Sequence, residues 1–534
     1  MEDIGIKSVF GLENHGLKNL NNVYWNLLPP KLVEEFVLRN EGELSDTGSV
    51  MVNTGQHTGR SPKDKYIVKY DNEDDKDIWW GDVNVSISPS QFEQLYIKTK
   101  TYLQGKDVFV QDIKVGAHPA HQIPVRVITE TAWHSLATNH LFVNLSPDEL
   151  KRFIPEYTLI FCPNLLAEPN EDDIRSETFV VVNFTKKIVL VGFSGYAGEI
   201  KKSIFTVMNY VLPRKNILSM HCSANVGNDG DVALFFGLSG TGKTSLSSDT
   251  ERGLIGDDQH GWSNEGIFNF EAGCYAKVIN LNPEYEPLIW RATNSFSSVL
   301  ENVVYDKKTR VPDFNDNTLT DNTRSAYPIS FIPNFVPEGY SGHPKNVFFL
   351  TADAFGVIPP ISRLSPEQAM YYFLAGYTSK LAGTEKGLGK EPQATFSSCF
   401  GAPFLPLHPG VYAKLLGEKI QKYESNVWLV NTGWSGGPYG IGERIKIPYT
   451  RAMVKSALNG EIDSVDYIKD PLFGLYVPKF CPGVPDNMLD PIKTWNDANA
   501  YQKQAQHLIR LFNENFCQFK DQVPQSVIDS GPKF

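Results

Sequence analysis

Cysteine is scarce in this sequence, and the few cysteines form no pattern that is typical of a particular class of protein. The 534 residues contain six cysteines, and none of them forms a C-x-x-C pair, so we expect neither a disulfide framework nor a structural thiolate zinc site. A basic excess is missing too. Acidic residues outnumber basic ones by 61 to 50, for a net charge of −11. This balance argues against binding to nucleic acid, which requires a basic surface.

Targeting and membrane signals are also missing. The chain starts with Met1-Glu2-Asp3-Ile4, which is acidic where a signal peptide is basic. No run reaches the length of about 18 apolar residues that spans a bilayer. We therefore expect a cytoplasmic protein with no membrane partner, and nothing in the sequence indicates its oligomeric state.

The local patterns mix helix and strand signals. Hydrophobic residues make up 41% and charged residues 21% of the chain, which is ordinary for a globular protein. Two apolar runs, 180–182 and 188–191, flank a polar turn and predict an antiparallel pair. The apolar run at 231–236 predicts a strand. These signals favour an α/β (mixed α+β) fold with mixed sheets, and they place a domain boundary near 212–227, before the strand at 231–236.

A phosphate-binding motif follows that last strand. Residues 237–244 read Gly-Leu-Ser-Gly-Thr-Gly-Lys-Thr and match G-x-x-x-x-G-K-[ST] in full. Glycines let successive backbone N–H groups point at phosphate oxygens, Lys243 can reach the β- and γ-phosphates, and the Thr244 hydroxyl can bind Mg²⁺. The alternative is a glycine-rich turn with an incidental lysine, which the preceding apolar strand disfavours.

A pair of carboxylates supports this interpretation. Asp257 and Asp258 follow the short apolar run at 254–256, where P-loop proteins place the acid that holds the metal. Thirteen positions separate Thr244 from Asp257, so the helix between them must be short, unlike that of ordinary GTPases or motors. Two adjacent carboxylates suggest more than one divalent ion, although Asp pairs are also common in turns.

Basic side chains on glycine-rich loops form a third group. They are Arg60, Lys201 with Lys202, His221 and Arg324. Such residues can bind an anionic substrate, but each alone is more often a solvated charge or a structural histidine. Their spacing in the sequence does not show that they converge.

Taken together, these stretches resemble the ATP-dependent phosphoenolpyruvate carboxykinases, in the order of that family and from about residue 15 to about residue 520. The resemblance rests on His57–Lys65 (HTGRSPKDK), His221–Gly227 (HCSANVG), Gly237–Ser247 (GLSGTGKTSLS), Leu254–Trp262 (LIGDDQHGW), Asn322–Ile329 (NTRSAYPI), Phe348–Arg363 (FFLTADAFGVIPPISR) and Asn431–Gly442 (NTGWSGGPYGIG).

The resemblance implies a reaction and its cofactors. Oxaloacetate and ATP would give phosphoenolpyruvate, CO₂ and ADP, as in gluconeogenesis, with the help of Mn²⁺ and Mg²⁺. It also implies an active site in the cleft between a substrate-binding domain (1–216) and a nucleotide-binding domain (217–534).

The resemblance further implies a role for individual residues. Lys202, His221 and Asp258 would bind Mn²⁺, and Thr244 would bind the Mg²⁺ of ATP. Arg60, Tyr196 and Lys202 would contact the dicarboxylate. The residues implied in catalysis are Arg60, Lys202, Lys243, Asp257, Asp258 and Arg324. Those implied in binding ATP are Gly237, Leu238, Ser239, Gly240, Thr241, Gly242, Lys243, Thr244 and Ser245 around the triphosphate, Arg324 at the transferred phosphoryl group, and Lys277, Glu286, Arg444, Ile445 and Thr450 at or near the ribose and adenine.

Two positions depart from the family pattern. Gln259 stands where the family usually has Glu after the Asp pair, and this change can weaken or retune the metal site. Ser245 stands where Thr is commoner, but it keeps the hydroxyl group.

Two other functions remain open at this point. Another P-loop phosphotransferase acting on a small molecule would use the same loop and the same Asp pair, but it would not explain His221 or the Arg60, Lys202 and Arg324 loops. An inactive nucleotide-binding protein is disfavoured by the intact Lys243, Thr244, Asp258 and Arg324.

Overall fold

The structure is a computed structural model, and it describes residues 2–247, 250–380 and 393–533. Over these residues, no helix is both long enough and apolar enough to cross a membrane.

Helices of all lengths occur along the described chain. The α-helices are α1 (Pro29–Leu38), α2 (Pro89–Leu103), α3 (Ala132–Leu141), α4 (Pro147–Lys151), α5 (Pro169–Asp172), α6 (Gly198–Val211), α7 (Lys243–Ser247), α8 (Pro287–Thr293), α9 (Pro366–Ala375), α10 (Pro409–Lys422), α11 (Ile447–Leu458), α12 (Asp486–Leu489), α13 (Ala498–Phe516) and α14 (Gln525–Asp529). Short 3₁₀ helices cover Leu12–His15, Pro62–Asp64, Glu73–Asp75, Pro119–His121, Pro213–Lys215, Ile329–Phe331, Ser398–Phe400, Ala402–Phe404, Pro491–Thr494 and Cys517–Gln522.

Most strands are short. They are β1 (Glu2–Gly5), β2 (Asn22–Trp25), β3 (Glu43–Leu44), β4 (Val50–Val52), β5 (Lys65–Val68), β6 (Val85–Ile87), β7 (Val108–Val115), β8 (Ile123–Thr129), β9 (Val143–Asn144), β10 (Tyr157–Cys162), β11 (Phe179–Asn183), β12 (Ile188–Gly192), β13 (Leu218–Met220), β14 (Cys222–Val226), β15 (Val232–Phe236), β16 (Gly253–Gly256), β17 (His260–Trp262), β18 (Ile267–Asn269), β19 (Gly273–Lys277), β20 (Val299–Glu301), β21 (Val304–Tyr305), β22 (Pro312–Asp313), β23 (Arg324–Pro328), β24 (Tyr340–Ser341), β25 (Pro344–Thr351), β26 (Ile361–Leu364), β27 (Tyr377–Lys380), β28 (Gln393–Phe396), β29 (Asn426–Asn431), β30 (Trp434–Ser435), β31 (Glu443–Arg444), β32 (Tyr467–Lys469) and β33 (Tyr476–Pro478).

The chain divides into two compact units. Unit 1 comprises the described residues of 1–211, 268–339 and 403–407, and unit 2 those of 212–267, 340–402 and 408–534. A single boundary at residue 216 places 268–339 and 403–407 in the C-terminal domain, whereas the structure groups these segments with unit 1. The proposed roles of domains 1–216 and 217–534 stay a prediction.

Unit 1 contains two mixed sheets. The larger runs β1-β2-β7-β8-β10-β12-β11-β5-β6, with β9 beside β7, and its core is built around buried side chains such as Trp25, Phe92 and Ile160. Strands β11 and β12 pair antiparallel, so the predicted antiparallel pair is confirmed. The smaller sheet runs β19-β23-β20-β4-β3.

Unit 2 is organised around an eight-stranded sheet in the order β16-β14-β15-β25-β29-β26-β33-β32. Strand β15 confirms the strand predicted before the phosphate motif, and it lies between antiparallel β14 and parallel β25. All five of its residues are buried, as expected for a central strand that is covered on both faces. Phe235, Phe348 and Trp428 contribute to the core. The predicted mixed α/β fold class is confirmed.

Candidate active site

The phosphate motif forms a tight loop between β15 and α7 in unit 2. Gly240 and Gly242 have φ values of +87° and +91°, a left-handed conformation that costs other residues free energy. The Thr241 hydroxyl donates to the Leu238 carbonyl at 2.8 Å, and the Thr241 carbonyl accepts from the Thr432 hydroxyl at 3.1 Å. One hydrogen bond within the loop and one from Thr432 therefore hold the loop in its curved conformation. Helix α7 has five residues, in agreement with the short helix predicted from the spacing.

Asp258 brings two cationic or basic groups together beside this loop. Its Oδ1 atom lies 2.7 Å from Lys243 Nζ and 3.0 Å from His221 Nε2. Lys243 opens α7, His221 lies between β13 and β14, and Asp258 follows β16. The structure therefore assembles three of the predicted site residues at one carboxylate oxygen, within a single unit. Asp257, the neighbouring carboxylate, is buried.

The hydrogen bonds of His221 test whether this cluster suits a metal ion. Its Nδ1 atom lies 2.6 Å from the Phe400 carbonyl oxygen, which can only accept, so Nδ1 carries a proton. The Nε2 atom, the usual ligand in such an arrangement, then faces Asp258. Two lone pairs 3.0 Å apart repel each other unless a proton or a cation lies between them. An imidazole nitrogen and a carboxylate oxygen placed in this way fit a divalent ion.

Among the predicted adenine and ribose residues of unit 2, Arg444 bonds to the phosphate loop. Arg444 donates to the Gly240 carbonyl at 3.0 Å and to the Thr432 carbonyl at 3.1 Å. It therefore ties its own strand, β31, to the loop. Ile445 and Thr450 are buried, and Ile445 belongs to the core of unit 2.

Two predicted dicarboxylate ligands of unit 1 share one aromatic ring. The Arg60 guanidinium carbon lies 4.4 Å from the centre of the Phe404 ring, and Lys202 Nζ lies 4.8 Å from the same centre. Lys65 is fully buried nearby and donates to the Pro403 carbonyl at 2.6 Å. Burial, followed by the repulsion of Arg60, lowers the pKa of Lys65 to about 7. This concentration of basic groups favours an anionic ligand.

Asn322 connects the other predicted residues of unit 1. Its amide nitrogen donates to the Thr58 carbonyl at 2.8 Å and lies 3.4 Å from the Tyr196 hydroxyl, while its oxygen accepts from Arg324 Nε at 3.0 Å. Lys277 lies opposite Arg324 in the β19–β23 pairing. Partial burial, and then Arg324, lower the pKa of Lys277.

Glu286 lies at a distinct position, at the N-cap of α8, where its side chain makes no capping hydrogen bond. The predicted residues of unit 1 therefore form a cation pair over Phe404 and a second group around Asn322. Those of unit 2 form the phosphate loop and the group around Asp258.

Comparison with known proteins gives the family. Residues 21–487 match the model of the phosphoenolpyruvate carboxykinase family. The chain belongs to that family. Curated relatives named phosphoenolpyruvate carboxykinase (ATP) include one from Caldanaerobacter subterraneus, 58% identical over 98% of this chain and 100% of the relative. Others are from Moorella thermoacetica, at 56% identity, and Thermus thermophilus, at 53%, each covering 98% of this chain and 99% of the relative. The protein is accordingly an enzyme of the ATP-dependent phosphoenolpyruvate carboxykinase type.

Gln259 is the position at which the sequence predicts a departure from the family motif. Its side chain is 1% exposed, and it lies between the metal-site candidate Asp258 and His260. A neutral amide at a buried position avoids the desolvation cost that a carboxylate would carry.

Sequence reasoning missed several residues that contact the predicted site residues. Phe404, Tyr275 and Glu301 contact the predicted residues but carry no motif signal of their own, and Lys65 ends the motif His57–Lys65 without a predicted role. Asn322 opens the motif Asn322–Ile329, but the resemblance implies no role for it. Its amide group could have been singled out, because it directly precedes Thr323 and Arg324 in a stretch shared with the family.

Proposed function

We propose that this enzyme converts oxaloacetate and ATP into phosphoenolpyruvate, CO₂ and ADP in the cytoplasm, as a step of gluconeogenesis. The observation that carries the proposal is the oxygen of Asp258 that faces both the phosphate-loop lysine and the His221 imidazole. A nucleotide site and a metal-binding pair meet there, and the membership of the family supplies the reaction.

ATP and its metal ions are assigned to the following residues. The triphosphate binds along 237–245 with Arg324 at the γ-phosphoryl group, and Thr244 binds Mg²⁺. Lys202, His221 and Asp258 bind Mn²⁺, and for this Lys202 must be unprotonated. The ribose and adenine sites comprise Lys277, Glu286, Arg444, Ile445 and Thr450.

Decarboxylation begins with the binding of the dicarboxylate by Arg60, Tyr196 and Lys202. The bond between the methylene carbon and its carboxylate breaks, CO₂ leaves, and the electron pair remains as an enolate. When bound, Mn²⁺ would act as a Lewis acid that stabilises this negative charge. The basic groups around Phe404 orient the carboxylates and favour the anion, because they are fixed before the charge develops.

Phosphoryl transfer completes the reaction. The enolate oxygen attacks the γ-phosphorus in line, and the bond from that phosphorus to the bridging β,γ-oxygen breaks, which releases ADP. Lys243 and Arg324 neutralise the charge on the transferring group. Asp258 holds Lys243 at 2.7 Å, so the lysine is oriented before ATP arrives.

A purified-protein assay tests the proposal. We expect CO₂ release from oxaloacetate that requires ATP, is weaker with GTP, and is faster with Mn²⁺ plus Mg²⁺ than with Mg²⁺ alone. The same mixtures with other phosphoryl acceptors in place of oxaloacetate test for a different P-loop phosphotransferase. ATP binding without CO₂ release would contradict the proposal and indicate an inactive nucleotide-binding protein.

A further inference from the structure

Glu301 is a buried carboxylate that the reaction described above does not use. It ends β20, in the middle of the smaller sheet of unit 1, and its side chain is inaccessible to solvent. One oxygen accepts the Ala197 N–H at 2.8 Å. The other accepts a hydrogen bond from the Tyr275 hydroxyl. Glu301 therefore joins the loop that carries Tyr196 to strand β19.

Tyr275 extends this connection to Arg324. Its ring centre lies 5.8 Å from that of Tyr196 and 5.5 Å from the guanidinium carbon of Arg324. Its carbonyl accepts from Arg324 Nη1 at 3.5 Å. One tyrosine thus contacts a residue assigned to the dicarboxylate and a residue assigned to the phosphoryl group.

Asn322 makes the second connection between the same two sites. Its amide nitrogen bonds to the Thr58 carbonyl and the Tyr196 hydroxyl, and its amide oxygen accepts from Arg324. Thr58 lies two positions before Arg60 in the first basic loop. An amide donates from its nitrogen and accepts at its oxygen, so neither a carboxylate (Asp) nor an apolar side chain (Leu) at this position could hold all three groups.

We infer that Asn322 and the Tyr275–Glu301 pair are positioning residues that hold Tyr196 and the Arg60 loop at a fixed distance from Arg324. They thereby keep the nascent enolate aligned with the phosphoryl group, so that it is phosphorylated rather than protonated. This inference rests on the proposed function, because it assigns no new reaction partner.

The chemistry gives the positioning role a specific readout. An enolate that is misaligned with the γ-phosphate can still take a proton from water on its methylene carbon, which yields pyruvate and consumes no ATP. In-line attack is sensitive to misplacement, and a displacement of about 1 Å can cost about a hundredfold in rate. Protonation by water has no such requirement. Looser positioning should therefore raise the ratio of pyruvate to phosphoenolpyruvate.

Two substitutions test the two connections separately. Asn322→Asp keeps the size of the side chain and the acceptor for Arg324, but it removes the donor to Thr58. Tyr275→Phe keeps the ring next to Tyr196 and Arg324, but it removes the hydroxyl that donates a hydrogen bond to Glu301. Asn317→Asp is the matched control, since Asn317 lies on the same loop and is exposed, and its side chain donates to Asp321.

The measurement is the pyruvate and the phosphoenolpyruvate formed from oxaloacetate with ATP, Mn²⁺ and Mg²⁺, alongside thermal unfolding of each variant. We expect the product ratio to rise about tenfold or more in Asn322→Asp and in Tyr275→Phe, and to stay at the wild-type value in Asn317→Asp. A purely structural role would lower both products equally.

The outcomes separate the inference from the function on which it rests. Wild-type ratios in folded, active variants would overturn the positioning role and leave the proposed function intact. If Asn322→Asp does not fold, Tyr275→Phe decides by the same ratio. A wild-type enzyme that forms no phosphoenolpyruvate would overturn both.

Discussion

At the scale of single residues, the chemistry of the candidate site depends on ionisable groups that lie close to other charged or basic groups. Asp258 presents one oxygen to an ammonium group and to an imidazole, and Lys65 is enclosed with Arg60 nearby. Each of these residue types is common on protein surfaces, so it is their placement that gives them a chemical role. The sequence identified Asp258, Lys243 and His221 because each stands in a motif, but it gave no role to Lys65, the last residue of His57–Lys65, because no pattern marks burial of a lysine.

The role of Lys202 is tested by Lys202→Arg. Arginine keeps the positive charge and can lie on the Phe404 ring, but its guanidinium stays protonated and does not ligate metals. We expect the affinity for Mn²⁺ to fall about tenfold or more, measured by titration of free Mn²⁺ with electron paramagnetic resonance. Lys215→Arg, at an exposed position, should retain wild-type affinity. Wild-type affinity in Lys202→Arg as well would show that this lysine is not a ligand.

At the scale of elements, helix α3 shows how a buried element supports the site. All ten of its residues are buried, and Glu41 accepts from the Ala132 and Trp133 N–H groups at its N-terminus, at 3.0 and 3.1 Å. His134 on this helix lies 2.8 Å from the Gly195 carbonyl, next to Tyr196. Burial lowers the pKa of His134 to about 3, so this contact is made by a neutral imidazole.

Glu41 gives the helix a dependence on pH. Burial raises the pKa of Glu41 from 4.5 to about 7, so the folded protein binds the proton more tightly than the unfolded chain does. Its contribution to stability is fully present below pH 4.5 and is lost as the pH rises through 7. We therefore expect Glu41→Gln to gain stability relative to the wild type between pH 5 and pH 8.

The test is the free energy of unfolding in urea at both pH values. Glu34→Gln, an exposed substitution on α1, serves as the control and should parallel the wild type. If the difference between Glu41→Gln and the wild type is the same at pH 5 and pH 8, the assigned ionisation of Glu41 is wrong.

Gly240 of the phosphate loop can be compared with Gly230, a matched glycine outside the loop. Gly240 and Gly230 both have positive φ values, +87° and +79°, and in each case an added Cβ would meet no atom within 4 Å. Alanine at either position should therefore cost a similar strain of about 1 to 2 kcal/mol. Only Gly240→Ala should also weaken ATP binding, by about tenfold or more, since it turns amides away from the phosphates.

Calorimetric titration with ATP and unfolding in urea measure the two effects. Equal ATP affinity in Gly240→Ala and Gly230→Ala would contradict the role assigned to the loop.

Local sequence patterns predicted individual strands better than they predicted which strands pair with each other. The strand before the phosphate loop and the antiparallel pair at 179–192 were found because their apolar periodicity is a local property. The register of the smaller sheet is not local. It sets Glu301 and Lys277 on either side of Arg324, and it depends on pairing between segments far apart in the chain, so no pattern in the sequence could indicate it.

At the scale of the whole molecule, the path of the chain between its two units was the hardest feature to predict. Residues 403–407 belong to unit 1, although the segments on both sides belong to unit 2. Side chains of unit 1 hold this segment by its carbonyls: Lys65 bonds to Pro403, Asn209 to Phe404 and Asn84 to Leu405. The segment delivers Phe404 to Arg60 and Lys202, and it has no sequence signature because its partners are all distant.

The central claim is that the cations and carboxylates of this chain serve one coupled reaction, in which each enolate formed receives the γ-phosphoryl group of ATP. Phosphorus-31 nuclear magnetic resonance of the enzyme with oxaloacetate, ATP, Mg²⁺ and a trace of Mn²⁺, with CO₂ collected in parallel, tests it most directly. We predict that the γ-phosphate signal is replaced by that of phosphoenolpyruvate, with one ADP and one CO₂ formed for each. The appearance of inorganic phosphate or of unreacted ATP alongside released CO₂, with no phosphoenolpyruvate, would contradict the account.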